Sequence, residues 1–254
     1  MAYRVLYSFV KKGFYIGELN RRHLIRHGIA PQHLIRAPYS APDRFQNMSE
    51  TQFRQIRADC RNTLGIELDK IVVAFFGKLI SKKNPDLLLR SVAFLPEDLR
   101  GKVTLLFVGS GAMEAEMKEQ ARPLQKWGTR TIFAGFINQS SIRDYYAAAD
   151  IVVLPSRREG ETWGLVVNEA LQAGCAAVIS DAVGCAVEFG QWERVRVVPQ
   201  GNAEVLARAL EELAVFPRKF DWAREGMNSY ATERAAEGLA EEIRLLTSQT
   251  RVGS

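Results

Sequence analysis

The sequence predicts an α/β protein with a doubly wound, Rossmann-like parallel sheet and a short N-terminal arm. Two observations support this fold class. Short runs of consecutive apolar residues recur along the chain, and between them lie stretches whose apolar residues repeat at helical spacing. Strands that are apolar throughout are buried on both faces, which is typical of a parallel sheet covered by helices. The predicted strands cover residues 71–76, 103–108, 131–133, 151–154, 176–179 and 195–198.

The predicted helices follow these strands in order. The first begins after Asn84-Pro85, because a proline at the start of a helix needs no backbone N–H partner. The fourth opens at Gly164, after a turn that follows the strand at 151–154. The predicted helices cover residues 87–95, 142–149, 164–173 and 203–214. A further helical stretch follows Gly109 and continues through Lys126.

Both ends of the chain lie outside this regular alternation. An apolar stretch at 13–16 and a helix at about 18–27 precede a segment, 38–47, whose clustered proline and polar residues are typical of a linker. Beyond residue 218 the chain is mostly helical to Leu246 and ends in a polar tail. We therefore predict three parts, which are 1–47, 48–217 and 218–254.

Composition restricts the classes of function. The 254 residues are 47% hydrophobic and 25% charged, which is ordinary for a soluble globular protein. No apolar run approaches the roughly 18 residues that cross a bilayer, and the N-terminus does not read as a secretory signal. Cys60, Cys175 and Cys185 are expected to be reduced thiols of a cytoplasmic protein, and Cys175 and Cys185 to be core or turn residues rather than nucleophiles.

The net charge of +5 is concentrated near the N-terminus. Residues 1–60 contain ten lysines and arginines against four acidic residues, a local charge of +6. A solvated helix face explains this pattern, and peripheral contact with an anionic membrane, at the inner face of the cell membrane, is the alternative. No groove-reading motif or interleaving of basic and aromatic residues supports a nucleic-acid partner.

Glycine-rich turns follow several predicted strands, at the edge where open parallel sheets bind ligands. The turn at 109–111 resembles the start of a dinucleotide fingerprint, but the place of its third glycine is taken by Glu114, and an acidic residue there opposes pyrophosphate binding. Gly77-Lys78 lacks the first glycine of a phosphate loop. A tight turn explains both segments, so nicotinamide or flavin cofactors are not expected.

Lys78 and Lys83 lie in the loop after the first predicted strand. A lysine ammonium can serve as a point charge for phosphate. A solvated loop would explain a single lysine equally well. A solvated loop explains less well why two lysines lie at the same edge of the sheet as a helix N-terminus.

Two carboxylates, Glu161 and Glu169, bracket the helix start at Gly164. The N-terminus of a helix offers unpaired N–H groups and a positive dipole end, which suit a phosphate. Carboxylates suit neutral hydroxyl groups, which donate hydrogen bonds to them. Glu169 shares a helix face with Leu165, so the two carboxylates can reach opposite ends of a ligand whose diphosphate lies on the helix terminus. Such a ligand is a sugar nucleotide.

These carboxylates, together with Glu159, admit two other interpretations. They are surface groups that stabilise the helix dipole, or they are metal ligands. The metal interpretation has little support, because the three histidines all lie in the N-terminal arm. We therefore expect a site without a metal.

The residues above resemble the C-terminal, donor-binding domain of retaining glycosyltransferases of family 4, which have the two-domain GT-B fold. The likeness runs from about Phe14 to Leu246, and two glutamates separated by seven residues are the family's signature. The chain departs from the family pattern at Lys78, where arginine is usual, and at Asn168, where an apolar residue is common. The matching blocks are 76–79 with Lys83, 106–111, 133–136, 149–156 and 161–174.

The resemblance implies a reaction and a role for each residue. A hexosyl group would pass with retention from a nucleoside diphosphate sugar, usually a UDP-sugar, to a saccharide or lipid-linked acceptor, without a metal. Lys78 and Lys83 would hold the diphosphate, Glu161 the transferred sugar and Glu169 the ribose. The implied catalytic residues are Lys78, Lys83 and Glu161. The implied donor-binding residues are Gly77, Lys78, Lys83, Gly109, Phe136, Ile137, Glu161, Thr162, Trp163, Gly164, Leu165 and Glu169.

The resemblance also implies that most of an acceptor-binding domain is absent from this sequence. Residues 1–47 look like the last strand and helix of that domain and the interdomain linker. The chain is then a truncated enzyme, or the donor subunit of a split enzyme that needs a partner chain. A non-catalytic sugar-nucleotide-binding or regulatory chain and a small reductase are the alternatives. The segment 228–246, which crosses back to the acceptor domain in the family, is expected to be mobile or to pack elsewhere.

Overall fold

The structure, a computed structural model, describes residues 2–159 and 161–252. Two short strands, β1 (Gly13–Tyr15) and β2 (Leu34–Arg36), pair in parallel. Six further strands form a parallel sheet, and they are β3 (Ile71–Phe76), β4 (Val103–Val108), β5 (Arg130–Gly135), β6 (Ile151–Leu154), β7 (Ala176–Ser180) and β8 (Val195–Val198). Their order is β5-β4-β3-β6-β7-β8, so the sheet grows outwards in both directions from β3. This topology confirms the predicted doubly wound α/β fold.

Twelve α-helices lie in the described part of the chain. They are α1 (Ala2–Tyr7), α2 (Glu18–Arg26), α3 (Glu50–Thr63), α4 (Asp86–Ser91), α5 (Glu97–Arg100), α6 (Glu114–Ala121), α7 (Ile142–Ala148), α8 (Leu165–Gln172), α9 (Ala186–Phe189), α10 (Ala203–Ala214), α11 (Arg224–Met227) and α12 (Thr232–Val252). Two predicted helices are shorter than expected, because α4 and α6 each continue as a 3₁₀ helix, at Val92–Phe94 and Arg122–Trp127.

Two separate hydrophobic clusters cover the two faces of the main sheet. Successive residues of β3 alternate between them, with Val73 and Phe75 in one cluster and Val72, Ala74 and Phe76 in the other. The first cluster includes side chains of α4, α6 and α10, and the second includes side chains of α3, α7 and α8. This double covering is the reason why the strands read as continuous apolar runs.

Helix α3 is an element that the sequence analysis did not predict. It begins with a capping box, in which the Gln52 N–H donates to the Ser49 hydroxyl (3.3 Å) and the Ser49 N–H donates to the Gln52 side chain (2.9 Å). The pattern Ser-x-x-Gln directly before the buried Phe53 is a sequence signal that would have located this helix.

The structure divides into two compact units, residues 43–224 and residues 1–42 with 225–254. The boundaries of the larger unit therefore differ from the predicted 48 and 217. Phe45 and Phe220 explain the difference, because both are buried beside Phe53 in the cluster on the α3 face of the sheet. The rings of Phe53 and Phe220 stack with their centroids 4.3 Å apart. These contacts attach both flanking segments to the larger unit.

The smaller unit brings the two ends of the chain together. Helix α12 packs against β2, and Gly238 allows a close approach, since a Cβ there would lie 2.9 Å from the Arg36 carbonyl oxygen. An ion pair joins Lys12 to Glu242, with 3.0 Å between Nζ and Oε1. The segment 228–246 was expected to be mobile or to pack elsewhere. The structure differs from the second expectation, because α12 packs against β2, which belongs to residues 1–47. Among the described residues, no helix is long and apolar enough to span a bilayer.

A buried ionic cluster closes the amino-terminal edge of the main sheet. Asp150 accepts hydrogen bonds from Arg57 (2.5 Å) and Arg61 (2.6 Å), and from the Val72 backbone N–H (2.8 Å). The other N–H groups of these two guanidiniums donate to backbone carbonyls. The Ala148 carbonyl accepts a hydrogen bond from each arginine, at 3.0 Å. Arg61 has no exposed surface. Burial lowers the pKa of Arg57 to about 10, against the opposing effect of Asp150.

Candidate functional site

The loops that follow β3, β4 and β5 are joined through their backbones at the carboxyl edge of the sheet. The Gly77 N–H donates to Val108 (2.9 Å), and the Gly109 N–H donates to Gly135 (2.8 Å). Gly109 has a φ of +137°, and a Cβ at this position would overlap the carbonyl oxygen of Gly77. Loop packing therefore requires a glycine at position 109.

Asn84 ties the loop after β3 to the loop after β6. Its backbone is left-handed (φ +53°) and its side chain has no exposed surface. The Asn84 amide donates to the Pro155 carbonyl (3.3 Å) and accepts from the Arg157 guanidinium (3.1 Å). The Arg157 N–H donates to the Lys82 carbonyl (2.8 Å). Lys83 is thereby held beside the loop that leads into α8.

Helix α8 begins at Gly164, whose φ is +99°. A Cβ at Gly164 would lie 2.7 Å from Leu154 Cδ2 and 2.8 Å from Val183 Cγ1, so both the backbone and the space around it require glycine. In the part of the chain that the structure describes, no side chain caps this helix, and its first turn contains no acidic residue. The Val167 N–H donates to the Gly164 carbonyl (2.9 Å), and the N–H groups before it, with the positive dipole end, are oriented to meet an anion.

Lys83 and Glu161 form an ion pair at the entrance to α8. The Ser156 hydroxyl donates to the same carboxylate oxygen, Oε2, at 3.2 Å. The Lys83 side chain is 21% exposed and the Glu161 side chain 16%, so the pair is mostly withdrawn from water yet accessible. The sequence analysis placed these two residues on different parts of a ligand, whereas here they contact each other. A bound phosphate would compete with Glu161 for Lys83.

Glu169 lies on the face of α8 one turn inside the helix and is held by a tyrosine. Its Oε2 accepts a hydrogen bond from the Tyr146 hydroxyl at 2.7 Å. The Tyr146 ring is 1% exposed and stacks on Phe76, with 3.9 Å between the ring centroids. Burial, and then the Glu169 carboxylate, raise the pKa of Tyr146 well above its ordinary value. Tyr146 is therefore a protonated donor throughout the neutral range.

Trp163, the residue before Gly164, points into the protein. Its indole Nε1 donates to Asn168 Oδ1 at 2.8 Å, and the two residues are 3% and 0% exposed. Its ring makes an edge contact with Phe189, with the centroids 5.9 Å apart. The sequence analysis had noted Asn168 without a consequence. The structure supplies one, because Asn168 fixes the indole that anchors the loop before α8.

The remaining predicted residues differ in exposure. Phe136 is 79% exposed, while Ile137 is partly buried against the cluster on the α7 face. Lys78, Glu159, Thr162 and Leu165 are exposed, and Gly160 lies outside the described residues. Exposed side chains at the carboxyl edge are accessible to a ligand from solvent.

The structure thus brings Lys83, Glu161 and the start of α8 into one place, with Glu169 one turn away along the helix. Sequence reasoning missed two partners, Tyr146 and Ser156, and gave Asn168 no role. Asn168 is buried on α8 beside the apolar Val167 and Leu171, and a buried amide in such surroundings signals a polar partner. Tyr146 carries no such signal, because its partner is 23 residues away in the chain.

Other chemistries find no support in the described residues. No group of three or more His, Cys, Asp or Glu side chains there could hold a metal ion. The three cysteines are free, and burial raises the pKa of the Cys60 thiol to about 11. Burial also raises the pKa of Cys175 and of Cys185. Thiols of this kind carry little thiolate at neutral pH and are poor nucleophiles.

The sequence model of the family described as "Glycosyl transferases group 1" matches residues 57–233. A D-inositol 3-phosphate glycosyltransferase of Streptomyces coelicolor is 29% identical over 203 residues, which is 75% of this chain and 44% of that protein. An uncharacterized glycosyltransferase of Methanocaldococcus jannaschii, MJ1607, is 32% identical over 126 residues, covering 49% of this chain and 30% of that protein.

Solved structures show a similar fold. The crystal structure of Anabaena Alr3699/HepE in complex with UDP is 20% identical, with a TM-score of 0.77, and the likeness covers 96% of this chain and 66% of that one. WaaG, a glycosyltransferase involved in lipopolysaccharide biosynthesis, gives a TM-score of 0.68 at 22% identity, over 88% of this chain and 61% of that one. The chain spans less than half the length of the curated relatives described above.

Proposed function

The chain belongs to the group 1 glycosyl transferases, and we propose that it forms the donor-binding half of an enzyme that transfers a hexosyl group from a nucleoside diphosphate sugar. One observation supports this proposal above all others. The uncapped start of α8 lies next to a lysine and between two carboxylates, at the carboxyl edge of a parallel sheet. Diphosphate and hydroxyl groups are the two chemistries that this arrangement can bind.

The diphosphate would lie on the first turn of α8. Backbone N–H groups and the helix dipole favour an anion there. Lys83, held beside the loop by Asn84, would leave Glu161 and turn to the phosphate, and the exposed Lys78 would approach from the same loop. Each charge-assisted contact of this kind contributes about 1.5–3 kcal/mol.

The two carboxylates would bind the hydroxyl-bearing ends of the donor. Glu161 is released when phosphate takes Lys83, and its Oε2 then accepts hydrogen bonds from the transferred sugar. Glu169 presents its carboxylate one turn along the helix, at a distance suited to the ribose. The exposed ring of Phe136, with Ile137 beside it, would line the base. Uridine is the proposed base, which accords with the complexes of Anabaena Alr3699/HepE with UDP and with UDP-glucose.

The chemical step follows from the charges around the diphosphate. As the glycosidic bond breaks, negative charge develops on the departing phosphate oxygen. The dipole of α8 and the ammonium groups of Lys78 and Lys83 stabilise that charge in the transition state. Positive side chains can perform this task without a metal, so we propose a metal-independent reaction of the family 4 type, with retention at the anomeric carbon.

The acceptor would be bound by protein outside the larger unit. We propose that residues 1–42, which belong to the smaller unit, are part of an acceptor domain, whose remainder is supplied by a partner chain or by a longer form of this polypeptide. The acceptor is a saccharide or a lipid-linked saccharide, as in polysaccharide biosynthesis. The basic residues of 1–60 would allow peripheral contact with an anionic membrane on its cytoplasmic side.

Calorimetry with UDP and UDP-glucose tests the proposed site. Wild-type protein should bind both ligands saturably. Lys83→Ala and Glu169→Gln should each lower the affinity at least about tenfold, because each removes a contact to a charged or hydroxyl group. Lys82→Ala, the adjacent exposed lysine, is the matched control and should bind normally. Binding that survives both site variants would remove the assigned site. Turnover of UDP-glucose in the presence of an acceptor-domain chain, and its absence with the isolated chain, would separate donor binding from catalysis.

A further inference from the structure

A buried tyrosine contacts the candidate site from the next helix. Tyr146 belongs to α7, and its hydroxyl donates to Oε2 of Glu169 at 2.7 Å. Its ring lies nearly parallel to that of Phe76, at an angle of 16°, and its carbonyl accepts a weak hydrogen bond from the Cys175 thiol at 3.4 Å. The ring, the backbone carbonyl and the hydroxyl of Tyr146 are therefore each held by a contact. A side chain held in this way can fix its partner in turn.

Glu169 has one oxygen held and one available. Oε2 is engaged by Tyr146, and within the described residues Oε1 has no hydrogen-bond partner. The terminal torsion of a glutamate side chain is broad, so an untethered carboxylate would sample many orientations. The tyrosine hydrogen bond selects among them before any ligand arrives, which lowers the entropic cost of binding.

We infer that Tyr146 is a positioning residue, which orients Glu169 towards the vicinal hydroxyls of a ribose and so sets the preference of the site for ribonucleotides over deoxyribonucleotides. The inference rests on the proposed function, since it assumes that a nucleoside diphosphate occupies the site. Tyr146 touches no ligand itself and acts only through the carboxylate. Because burial keeps its hydroxyl protonated, the orienting hydrogen bond persists across the neutral range.

Three ligands separate this role from a general structural one. UDP carries both ribose hydroxyls, 2′-deoxyuridine 5′-diphosphate lacks one of them, and inorganic pyrophosphate carries no ribose. Calorimetry is done on the full chain, with Tyr146→Phe as the variant, which keeps the ring stack on Phe76. The matched control is Tyr145→Phe, the neighbouring tyrosine of α7, which is partly buried.

In Tyr146→Phe we expect UDP affinity to fall about tenfold. The affinities for 2′-deoxyuridine 5′-diphosphate and for pyrophosphate should change by less than about twofold, so the ribose preference nearly disappears. Tyr145→Phe should keep all three wild-type affinities. In Glu169→Gln, which leaves Tyr146 in place, the preference should also be lost, and adding Tyr146→Phe to that variant should change nothing further.

Several results would overturn the inference. If Tyr146→Phe kept the full ribose preference while Glu169→Gln lost it, the tyrosine would not orient the carboxylate, and the proposed function would stand. An equal loss for UDP and pyrophosphate would show that Tyr146 supports the fold of the whole site. If wild-type protein bound none of the three ligands, the proposed function would fail, and this inference with it.

Discussion

The two edges of the main sheet both carry charged side chains, but those charges are in different states. At the amino edge, Arg57 and Arg61 donate to Asp150 and to backbone carbonyls. At the carboxyl edge, Lys83 pairs with a partly exposed carboxylate, and Oε1 of Glu169 has no hydrogen-bond partner among the residues that the structure describes. The Asp150 cluster is bonded within the protein, whereas the Lys83–Glu161 pair and Glu169 retain bonding capacity that a ligand can use.

The number of charged side chains in a cluster therefore does not identify a ligand-binding site. An arginine pair beside an aspartate looks in sequence as promising as a lysine pair beside a glutamate. The distinguishing property is what each group bonds in the folded protein. A buried, fully paired cluster contributes to the fold, while a partly exposed pair beside an uncapped helix start can exchange its partner for a ligand.

The largest expected effect is a loss of stability, caused by a substitution at the amino edge of the sheet. Asp150→Ala should lower the free energy of unfolding by about 3–5 kcal/mol, because it leaves the buried Arg61 guanidinium and the partly buried Arg57 guanidinium without their carboxylate. Urea unfolding of the full chain measures the change. Asp144→Ala removes a carboxylate from an exposed ion pair with Arg143 and should cost less than about 1 kcal/mol. Equal, small losses in the two variants would show that the amino edge is not a structural cluster.

The next effect concerns the start of α8. Gly164→Ala should destabilise the fold by about 2–4 kcal/mol and abolish UDP binding, because the new Cβ meets both an unfavourable φ and two packed side chains. Gly201→Ala is the matched control, since Gly201 also has a positive φ (+78°) but open space around it. It should cost about 1 kcal/mol. Similar losses at the two glycines would mean that packing around Gly164 contributes nothing.

The anchor of the loop before α8 should have a smaller effect. Asn168→Ala removes the Asn168 acceptor from the buried Trp163 indole N–H, at a cost of about 1–3 kcal/mol in unfolding free energy. Combining it with Trp163→Phe should cost less than the sum of the two single changes, because the second removes a group that has already lost its partner. Strict additivity in a double-mutant cycle would contradict the pairing.

Lys78→Arg should strengthen UDP binding at the carboxyl edge of the sheet. An exposed arginine at this position can make two parallel hydrogen bonds to a phosphate, whereas lysine acts as a point charge. UDP affinity by calorimetry should therefore rise severalfold, roughly 1 kcal/mol. Lys82→Arg, in the same loop, should leave it unchanged. An affinity that is lower in Lys78→Arg would show that this side chain does not meet the diphosphate.

The smallest effect is a dependence on pH at α3. The pKa of Cys60 is raised from 9.0 to about 11 by burial and by Asp144, so the folded state binds its proton more tightly than the unfolded state. The associated stability is present below pH 9 and is lost as the pH rises towards 11. Iodoacetamide should consequently alkylate Cys60 slowly at pH 8 in the folded protein and quickly in urea. Equal rates would contradict the burial of this thiol.

The sequence predicted the strands and helices, whose apolar patterns are local. It did not predict the contacts between residues that lie far apart in the chain. Runs such as 71–76 and 103–108 reveal buried parallel strands, because their apolar pattern is local. The apolar pattern does not show that Phe45 and Phe220 join the larger unit, since they do so through contacts with residues far along the chain. The hydrogen bonds of Tyr146 to Glu169 and of Lys83 to Glu161 are long-range for the same reason. Sequence indicated the residue types of the candidate site, and the fold supplies their partners.

A crystal of this chain soaked with UDP tests the central claim most directly. The account predicts a diphosphate on the first turn of α8, within hydrogen-bond distance of its backbone N–H groups, with Lys83 turned from Glu161 to a phosphate oxygen. A helix start without ligand at saturating UDP, with the Lys83–Glu161 ion pair still intact, would contradict it.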